Sequence, residues 1–153
     1  MLRALKPFFE LIIFTYKNKE EAEAIVNEIE KDQNFFTYII PVNYCYYVAS
    51  ESVYVKDLSI FLGNRLDGEV ALVTTQAYDG ILQPLNSIPI EPFVGDDQDC
   101  LLLLLEVYLM GLRWSKDIRQ KLHNDFNSIY KNIDLLEICA NNYTPKSIIQ
   151  NNG

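Results

Sequence analysis

Hydrophobic residues occur in this sequence as short runs of strand length and as stripes at helical spacing. A run that is apolar on both faces is typical of a strand in a parallel sheet covered on both sides. A stripe that recurs every three or four residues predicts an amphipathic helix. Because runs and stripes both occur along the chain, we expect an α/β fold. The predicted strands are Leu11 to Tyr16, Phe35 to Pro41, Val70 to Val73 and Ser87 to Ile90.

The first predicted helix follows the strand that ends at Thr15 and Tyr16. Asn18, with Glu21 three residues later, forms a capping-box pattern, which marks a helix start. Apolar residues then fall on one face of the helix, while acidic side chains occupy the other. We expect this helix to pack on the sheet and to carry no chemistry. Its apolar stripe consists of Ala22, Ile25, Val26 and Ile29.

Two short segments after the second strand predict an antiparallel hairpin inserted into the sheet. They are Tyr44 to Val48 and Ser52 to Val55, separated by three residues. The chain contains ten tyrosines, and several lie in this hairpin. In one interpretation they are amphipathic strand residues, and in another they line a surface for a partner.

The C-terminal part of the chain predicts two helices. The acidic turn from Gly95 to Asp99 suits a helix N-terminus, because carboxylates there oppose the positive end of the helix dipole. The residues from Leu101 to Leu112 are apolar nearly all round, which predicts a heavily buried helix. A second helix from Ser115 to Ile133 has an amphipathic stripe that must dock on its own domain or on a partner. The tail from Asn141 onward is expected to fray.

Composition limits the class of protein. The 153 residues are enough for a single domain, and a hydrophobic share of 49% favours a packed core. With a formal net charge of −8, the chain lacks the basic footprint that duplex binding needs, so no nucleic-acid ligand is expected. Cys45, Cys100 and Cys139 show no paired spacing and are interpreted as buried, reduced intracellular thiols.

No segment has the character of a targeting signal or of a membrane span. The apolar run from Leu11 to Phe14 is too short for the core of a signal peptide, and Pro7 and Glu10 interrupt the residues before it. The run from Cys100 to Leu112 is shorter than the ~20 apolar residues that a span needs. We therefore expect an intracellular protein, in the nucleus or cytoplasm, with the mitochondrion as an alternative.

A binding site is expected where the strand Val70 to Val73 ends, because the strands of open α/β sheets end at the ligand crevice. Thr74, Thr75 and Gln76 stand at this position. In phosphate enzymes, Mg²⁺ is held by carboxylates and by substrate phosphates. Two hydroxyls and an amide do not supply such ligands. The sequence therefore combines the frame of an enzyme with a site that lacks the expected anions.

Four segments in order define a family resemblance: Leu11 to Thr15 (LIIFT), Tyr54 to Leu58 (YVKDL), Asn86 to Phe93 (NSIPIEPF) and Gly95 to Asp99 (GDDQD). Together they resemble the NLI-interacting-factor-like phosphatases. These are the small phosphatases of the RNA polymerase II C-terminal domain, within the haloacid-dehalogenase superfamily. The resemblance extends from about Ala4 to Leu112, and its specific part is the combination of the four segments.

The resemblance implies a doubly wound parallel sheet with a small antiparallel insertion in residues 1–112. Residues 113–153 have no matching counterpart and are expected to form a helical C-terminal extension. The implied chemistry is attack of a carboxylate on phosphorus, with Mg²⁺ neutralising the phosphoryl oxygens. Thr15 matches the phosphate-contacting hydroxyl of the family, and Lys56 matches its phosphate-contacting lysine. On their own, these two residues have plain interpretations as a strand-end threonine and a solvated lysine.

The sequence departs from the family pattern at the catalytic and metal positions. The family's Asp-x-Asp-x-Thr strand, which supplies the nucleophile, the acid and a metal ligand, would lie before the first residue. Thr74 and Thr75 replace an Asp-Asn pair of the metal site, and Val42 replaces an arginine. Asp57 and Asp79 are not expected to substitute as metal ligands. We therefore expect no bound metal or cofactor, although active family members use Mg²⁺, and no phosphatase activity of this chain alone.

Three functional interpretations follow from these residues. The first is a non-catalytic phosphatase-like domain that acts as a binding or scaffold module for a protein partner, as some relatives do in mitochondrial protein import. The second is a fragment of a Mg²⁺-dependent phosphoserine or phosphothreonine protein phosphatase whose Asp-x-Asp-x-Thr strand lies upstream. The third is a structural subunit that docks on a partner through the helix from Ser115 to Ile133.

The absent central strand also leads to a structural expectation. In the family, it lies between the strand that ends at Thr15 and the one that ends at Val73. Each buried backbone group left unsatisfied would cost about 1–3 kcal/mol. We therefore expect these two strands to pair directly with each other in the present chain.

Overall fold

The computed structural model describes residues 1–31, 33–76 and 80–130, which form a mixed α/β structure. The chain divides into two compact units. The first is Met1–Lys56 with Pro92–Trp114, and the second is Asp57–Glu91 with the residues from Ser115 onward. The boundary expected between residues 112 and 113 stays a prediction. In chain order, the elements are α1 (Leu2–Leu5), β1 (Ile12–Phe14), α2 (Lys19–Glu30), β2 (Tyr38–Ile40), β3 (Tyr46–Val48), β4 (Val53–Val55), β5 (Leu72–Thr74), β6 (Ser87–Pro89), α3 (Leu101–Leu112) and α4 (Ile118–Tyr130).

The first unit contains a parallel pair of strands, β1 and β2, which α2 connects. Their register sets Ile12 opposite Tyr38. One further hydrogen bond extends the ladder past the end of β1, since the Thr15 N–H donates to the Ile40 carbonyl at 2.9 Å. Thr15 therefore lies directly beyond the carboxyl end of β1, as the sequence predicts.

Helix α2 begins where the sequence predicts. Asn18 is its N-cap, and the Asn18 side-chain oxygen accepts a hydrogen bond from the Glu21 N–H at 2.9 Å. Ala22 and Val26 of the apolar stripe are buried, but the two isoleucines of the stripe are about half exposed. The predicted stripe is therefore buried at Ala22 and Val26 only. A pair of three-residue strands is too small to cover the whole apolar face of α2.

The predicted hairpin is confirmed. Strands β3 and β4 are antiparallel, with Tyr47 opposite Tyr54, and the two ring centroids are 5.0 Å apart. Both tyrosines are about half exposed, whereas Val55 at the end of β4 is buried. The hairpin begins later than Tyr44, because that residue ends a 3₁₀ turn. The chain leaves the hairpin at Lys56.

The second unit contains a second parallel pair, β5 and β6, with Leu72 opposite Ser87. Helix α4 packs on β6 and on the 3₁₀ turn Pro84–Asn86. Ile118 and Leu122 on α4 are buried. These two stripe residues dock within the chain, so the hypothesis of a partner bound through the stripe from Ser115 to Ile133 is wrong for them.

Asn86 and Ser87, which open the third resemblance segment, are both buried. The Asn86 amide donates to the Asp67 carbonyl at 2.5 Å and to the Val70 carbonyl at 2.8 Å. The Ser87 hydroxyl donates to the Pro84 carbonyl at 2.6 Å. Buried polar groups must find partners of this kind. These two residues therefore hold the loop before β5 and the turn before β6 in place.

The sheet arrangement differs from the expectation. The described residues form three separate two-stranded sheets, β1–β2, β3–β4 and β5–β6. The α/β class is confirmed, but a single doubly wound sheet is not formed by these strands. The expected direct pairing of the strands that end at Thr15 and Val73 stays a prediction, because these strands belong to different units; within its unit, each pairs with the strand that follows it. Strands of three residues leave few unpaired edge groups, and water can satisfy those that are exposed.

The expectation of a heavily buried α3 is wrong as well. Leu105 and Leu112 are buried, but Leu103 and Val107 are 65% and 74% exposed. Helix α1 packs on α3 and covers only part of its circumference. Apolar composition predicts burial only where neighbouring elements exist to provide it. Among the described residues, no helix is both long and apolar enough to cross a membrane.

Replacement of the helix cap tests the start of α2. We expect Asn18→Ala to lower the free energy of unfolding by about 1 kcal/mol, because the Glu21 N–H loses its acceptor. Urea unfolding followed by circular dichroism measures this change. Asn27→Ala in the exposed interior of α2 is the matched control, and it should be neutral or slightly stabilising because alanine is the better helix former. Equal losses in the two variants would contradict the assigned cap.

Candidate functional site

Each of the two threonines predicted at strand ends forms a local turn, and the two turns are of the same kind. The Thr15 hydroxyl oxygen accepts a hydrogen bond from the Lys17 N–H at 3.2 Å. The Thr74 hydroxyl oxygen accepts one from the Gln76 N–H at 3.1 Å. This is the turn that Ser and Thr side chains form with the backbone two residues ahead. Each hydroxyl keeps its own proton free to donate, so it could contact an anion but would not attract a cation strongly.

Lys56 is the most unusual residue of the site. It follows β4 and is only 8% exposed, so its interpretation as a solvated lysine is wrong. The Lys56 Nζ lies 4.7 Å from the ring centroid of Tyr16 and 5.8 Å from that of Phe14. Within the described part of the chain, no hydrogen-bond acceptor or carboxylate pairs with this ammonium. Aromatic faces attract a cation, but they do not replace an anionic partner.

Burial shifts the pKa values of three neighbouring groups. It lowers the pKa of Lys56, while the nearby Cys45 opposes this shift. It raises the pKa of the Cys45 thiol, and Lys56 opposes that shift. The pKa of Tyr16 rises to about 12 through burial and, secondarily, through Cys45. All three groups are therefore biased toward their neutral forms, and an anion bound at Lys56 would favour the charged ammonium.

Thr15 and Lys56 both belong to the first unit, and Cys45 is near each of them. The Cys45 Sγ lies 4.0 Å from the Thr15 carbonyl oxygen. Cys45 also interacts electrostatically with Lys56. The structure thus brings Thr15 and Lys56, the two residues predicted to contact phosphate, into one neighbourhood. The prediction that they contact phosphate stays a prediction.

Asp57 follows Lys56 in sequence but has a structural role in the second unit. One Asp57 carboxylate oxygen accepts hydrogen bonds from the Ser59 N–H at 2.9 Å and the Gln83 amide at 2.8 Å. The other accepts from the Ser59 hydroxyl at 2.7 Å. The Gln83 side-chain oxygen in turn accepts from the Leu58 N–H. Asp57 is buried and holds the 3₁₀ turn Leu58–Phe61, so it is not available as a metal ligand.

The residues at the metal-pair positions do not fit Mg²⁺. Thr74 ends β5 with its hydroxyl engaged by Gln76, and Thr75 is exposed in the bend that follows. Mg²⁺ requires carboxylate or phosphate oxygens in near-octahedral geometry. Over the described ranges, no group of three His, Cys, Asp or Glu side chains is arranged to hold a metal. Asp79 lies outside the described residues.

Val42 is the residue predicted to replace an arginine of the family. Its N–H donates to the Lys17 carbonyl at 3.0 Å, so its backbone extends the contact between the segments that follow β1 and β2. An apolar side chain there adds no positive charge to the site. Lys56 is therefore left without a cationic neighbour at that position.

Sequence reasoning missed the aromatic and thiol surroundings of Lys56. Phe14 and Tyr16 flank Thr15, and Cys45 lies just before the hairpin that ends at Val55. The alternation of sides along a strand could have paired Phe14 with Tyr16 on one face. Nothing in the sequence alone set them against Lys56. The cysteines also differ from expectation, since Cys45 is half-buried and Cys100 is exposed, while Cys139 lies outside the described residues.

Comparison with known proteins agrees with the resemblance noted in the sequence. The profile of the NLI interacting factor-like phosphatase family matches residues 1–119. This range covers most of the chain and contains Thr15, Lys56 and Thr74. The chain therefore belongs to the NLI interacting factor-like phosphatase family.

The similar proteins include a translocase subunit, a small phosphatase-like protein and a nuclear envelope protein. The chain is 33% identical over 101 residues to the mitochondrial import inner membrane translocase subunit TIM50 of Kluyveromyces lactis, which covers 66% of the chain and 20% of that protein. It is 32% identical over 125 residues to CTD small phosphatase-like protein 2 of Dictyostelium discoideum, covering 82% and 21%. It is 29% identical over 121 residues to nuclear envelope morphology protein 1 of Schizosaccharomyces pombe, covering 79% and 25%. The chain spans about a fifth to a quarter of these curated relatives.

Replacing the buried ammonium tests its environment. The pKa of Lys56 is lowered only in the folded state, so between that lowered pKa and the ordinary value of 10.5 the unfolded chain binds more protons. Across this window, the free energy of unfolding of the wild type relative to Lys56→Met is expected to rise with pH. Below the window, Lys56→Met is expected to be the more stable protein, because methionine is buried without a charge.

Urea unfolding at about pH 7 and about pH 9.5 measures the difference between the two proteins. Lys17→Met, at an exposed position, controls for the general effect of removing a lysine charge. A difference that falls as pH rises would show that the folded state favours the ammonium and would contradict the assigned environment.

Proposed function

We propose that this chain is a non-catalytic phosphatase-like domain that serves as a binding or scaffold module for a protein partner. The proposal rests on the two residues that are predicted to replace the family's Asp-Asn metal pair. Thr74 and Thr75 occupy them, and Thr74 uses its hydroxyl oxygen in a backbone turn. Asp57, the acid adjacent to the retained lysine, has both carboxylate oxygens occupied.

The magnitude of the catalytic task supports the same proposal. Enzymes accelerate the hydrolysis of phosphate monoesters by up to roughly 10²¹-fold. A hydroxyl and a single lysine can orient a phosphoryl group and offset part of its charge. They supply neither a metal-bridged clamp nor the anions to hold one. In this proposal, Thr15 and Lys56 are binding positions and not catalytic ones.

A protein partner is supported by an exposed aromatic pair. The Tyr47 and Tyr54 rings contact each other across the hairpin, with their planes inclined by 49° and about half of each side chain in solvent. Tyrosine is enriched at protein interfaces, because it combines a large apolar face with a polar tip. The TIM50 relatives are named as subunits of a translocase, which is an assembly of proteins. Relatives named for the mitochondrial inner membrane and the nuclear envelope support an intracellular location without selecting a compartment.

The alternative function is that of a segment of a longer Mg²⁺-dependent protein phosphatase. The short coverage of the relatives favours it, since they extend far beyond the matched region. In this alternative, an upstream Asp-x-Asp-x-Thr strand supplies the nucleophile and completes a doubly wound sheet. Thr74 and Thr75 would still lack the metal pair, so full activity would require ligands from elsewhere. The transcript upstream of Met1 separates this alternative from the main proposal.

A titration of the purified chain with Mg²⁺ and vanadate, followed by calorimetry, tests the proposal. We expect no saturable metal-dependent binding, because the described residues at the metal positions are neutral hydroxyls. We also expect no Mg²⁺-dependent release of phosphate from para-nitrophenyl phosphate or a phosphoserine peptide. An active family member with an intact Asp-x-Asp-x-Thr motif is the positive control.

Measurable turnover by the pure chain would refute the non-catalytic assignment. Vanadate binding that disappears in both Lys56→Ala and Thr15→Ala would instead identify a working phosphate pocket and favour the alternative. Lys17→Ala, next to the site but exposed, is the matched control for loss of charge.

A further inference from the structure

Cys45 and Lys56 flank the hairpin of the first unit, one directly before β3 and one directly after β4. The register of the hairpin sets Tyr46 opposite Val55. Continued by one residue toward the open end of the hairpin, the same register sets Cys45 opposite Lys56. Cys45 has extended dihedral angles of −77° and 151°, so the strand conformation reaches this residue. The thiol and the amine therefore occupy the next cross-strand position of the hairpin.

The end of β1 approaches both of these side chains. Residues opposite each other in an antiparallel pair lie on one face, with their Cβ atoms about 4.5–5.5 Å apart. The Cys45 Sγ lies 4.0 Å from the Thr15 carbonyl oxygen. The Lys56 Nζ lies 4.7 Å from the centroid of the Tyr16 ring. Because Thr15 and Tyr16 are consecutive, their contacts keep the thiol and the amine close to the same point of the chain.

The thiol and the amine differ in their access to solvent. Lys56 is only 8% exposed, and no acceptor among the described residues pairs with its ammonium. Cys45 is a free cysteine that is only half-buried. A dissolved reagent therefore reaches the thiol more readily than it reaches the amine.

Burial favours the form of Lys56 that reacts as a nucleophile. It lowers the pKa of Lys56, so the folded chain holds more of the neutral amine at a given pH than a solvated lysine does. The neutral amine has the electron pair that attacks a carbonyl carbon. A buried amine beside a more accessible thiol is thus placed to receive a group that the thiol has collected from solution.

We infer that Cys45 and Lys56 form an acyl-transfer site for small acyl thioesters, in which Cys45 accepts the acyl group and passes it to Lys56. In the first step, the Cys45 thiolate attacks the carbonyl carbon of the donor. The C–S bond of the donor breaks, and the donor leaves as a thiolate that takes up the proton released by Cys45. The acyl group is then held on Cys45 as a thioester.

The second step takes place within the chain. The neutral Lys56 amine attacks the carbonyl carbon that Cys45 holds, a C–N bond forms, and the C–S bond to Cys45 breaks. The Cys45 sulfur leaves as a thiolate and takes up the proton that the nitrogen loses. The products are an amide at Lys56 and a restored thiol, so the two steps balance without an oxidant or a reductant.

The transfer changes the charge of the first unit. An amide at Lys56 has no positive charge, so the residue predicted to contact phosphate loses its attraction for an anion. The inference does not depend on the proposed function, because the two side chains react in the same way whether or not a protein partner binds.

Incubation of the purified chain with acetyl coenzyme A at about pH 8, followed by peptide mass spectrometry, tests the transfer. We expect Lys56 to be acetylated faster than the exposed Lys17, in spite of its burial. We expect Cys45→Ser to lower the rate at Lys56 by at least ~10-fold, because a step within the chain is replaced by a bimolecular one. Cys100→Ser, which removes an exposed thiol, is the matched control and should keep the rate of the wild type.

The thioester intermediate provides a second readout, which does not depend on the folding of Cys45→Ser. In Lys56→Met, the acetyl group is expected to stay on Cys45 longer than in the wild type, in a form that neutral hydroxylamine releases. An unchanged rate at Lys56 in folded Cys45→Ser would overturn the inference. Acetylation of Lys56 no faster than that of Lys17, or an equal lifetime of the Cys45 thioester in Lys56→Met and the wild type, would overturn it as well.

Discussion

The parallel ladder between β1 and β2 determines where the distinctive side chains of the first unit lie. Phe14 is the last residue of β1, and the hydrogen bond from the Thr15 N–H to the Ile40 carbonyl holds the next residue at the end of the sheet. Tyr16 follows at once, so the rings of Phe14 and Tyr16 stand near the Lys56 ammonium. The charge of Lys56 thus depends on a ladder of three residue pairs. If that ladder opened, the ammonium would regain water and its ordinary affinity for a proton.

The family membership of the chain changes how this neighbourhood is understood. A buried lysine that has no anionic partner among the described residues is ordinarily a cost to stability. The resemblance to the phosphatase family predicts that this lysine contacts phosphate, and the rings of Phe14 and Tyr16 lie near its ammonium. Asp57, the acid that follows it, accepts hydrogen bonds from Ser59 and Gln83. Lys56 and Asp57 are adjacent in sequence, but their side chains contact different parts of the chain.

The sequence predicted local structure better than it predicted burial. The Asn18 cap, the hairpin around Tyr47 and Tyr54 and the strand ends at Thr15 and Thr74 all depend on neighbours in sequence, and short-range chemistry is sufficient to find them. The exposed face of α3 and the buried state of Lys56 depend on which distant elements arrive, and periodicity contains no such information. Leu103 and Leu105 are both leucines of α3, yet the side chain of Leu103 is 65% exposed and that of Leu105 is 8% exposed.

Strand β6 ends at Pro89, and a proline at this position disfavours the association of further strands at the sheet edge. The Ile90 N–H donates to the Thr74 carbonyl, so alternate backbone nitrogens of this segment face β5 and the nitrogen of Pro89 faces the opposite edge. Proline has no N–H, and an incoming strand would find no donor there. Edge strands that lack a donor resist the strand-by-strand growth that leads to fibrils. The Ser-Ile-Pro segment, on which α4 packs, therefore lacks one backbone donor at that edge.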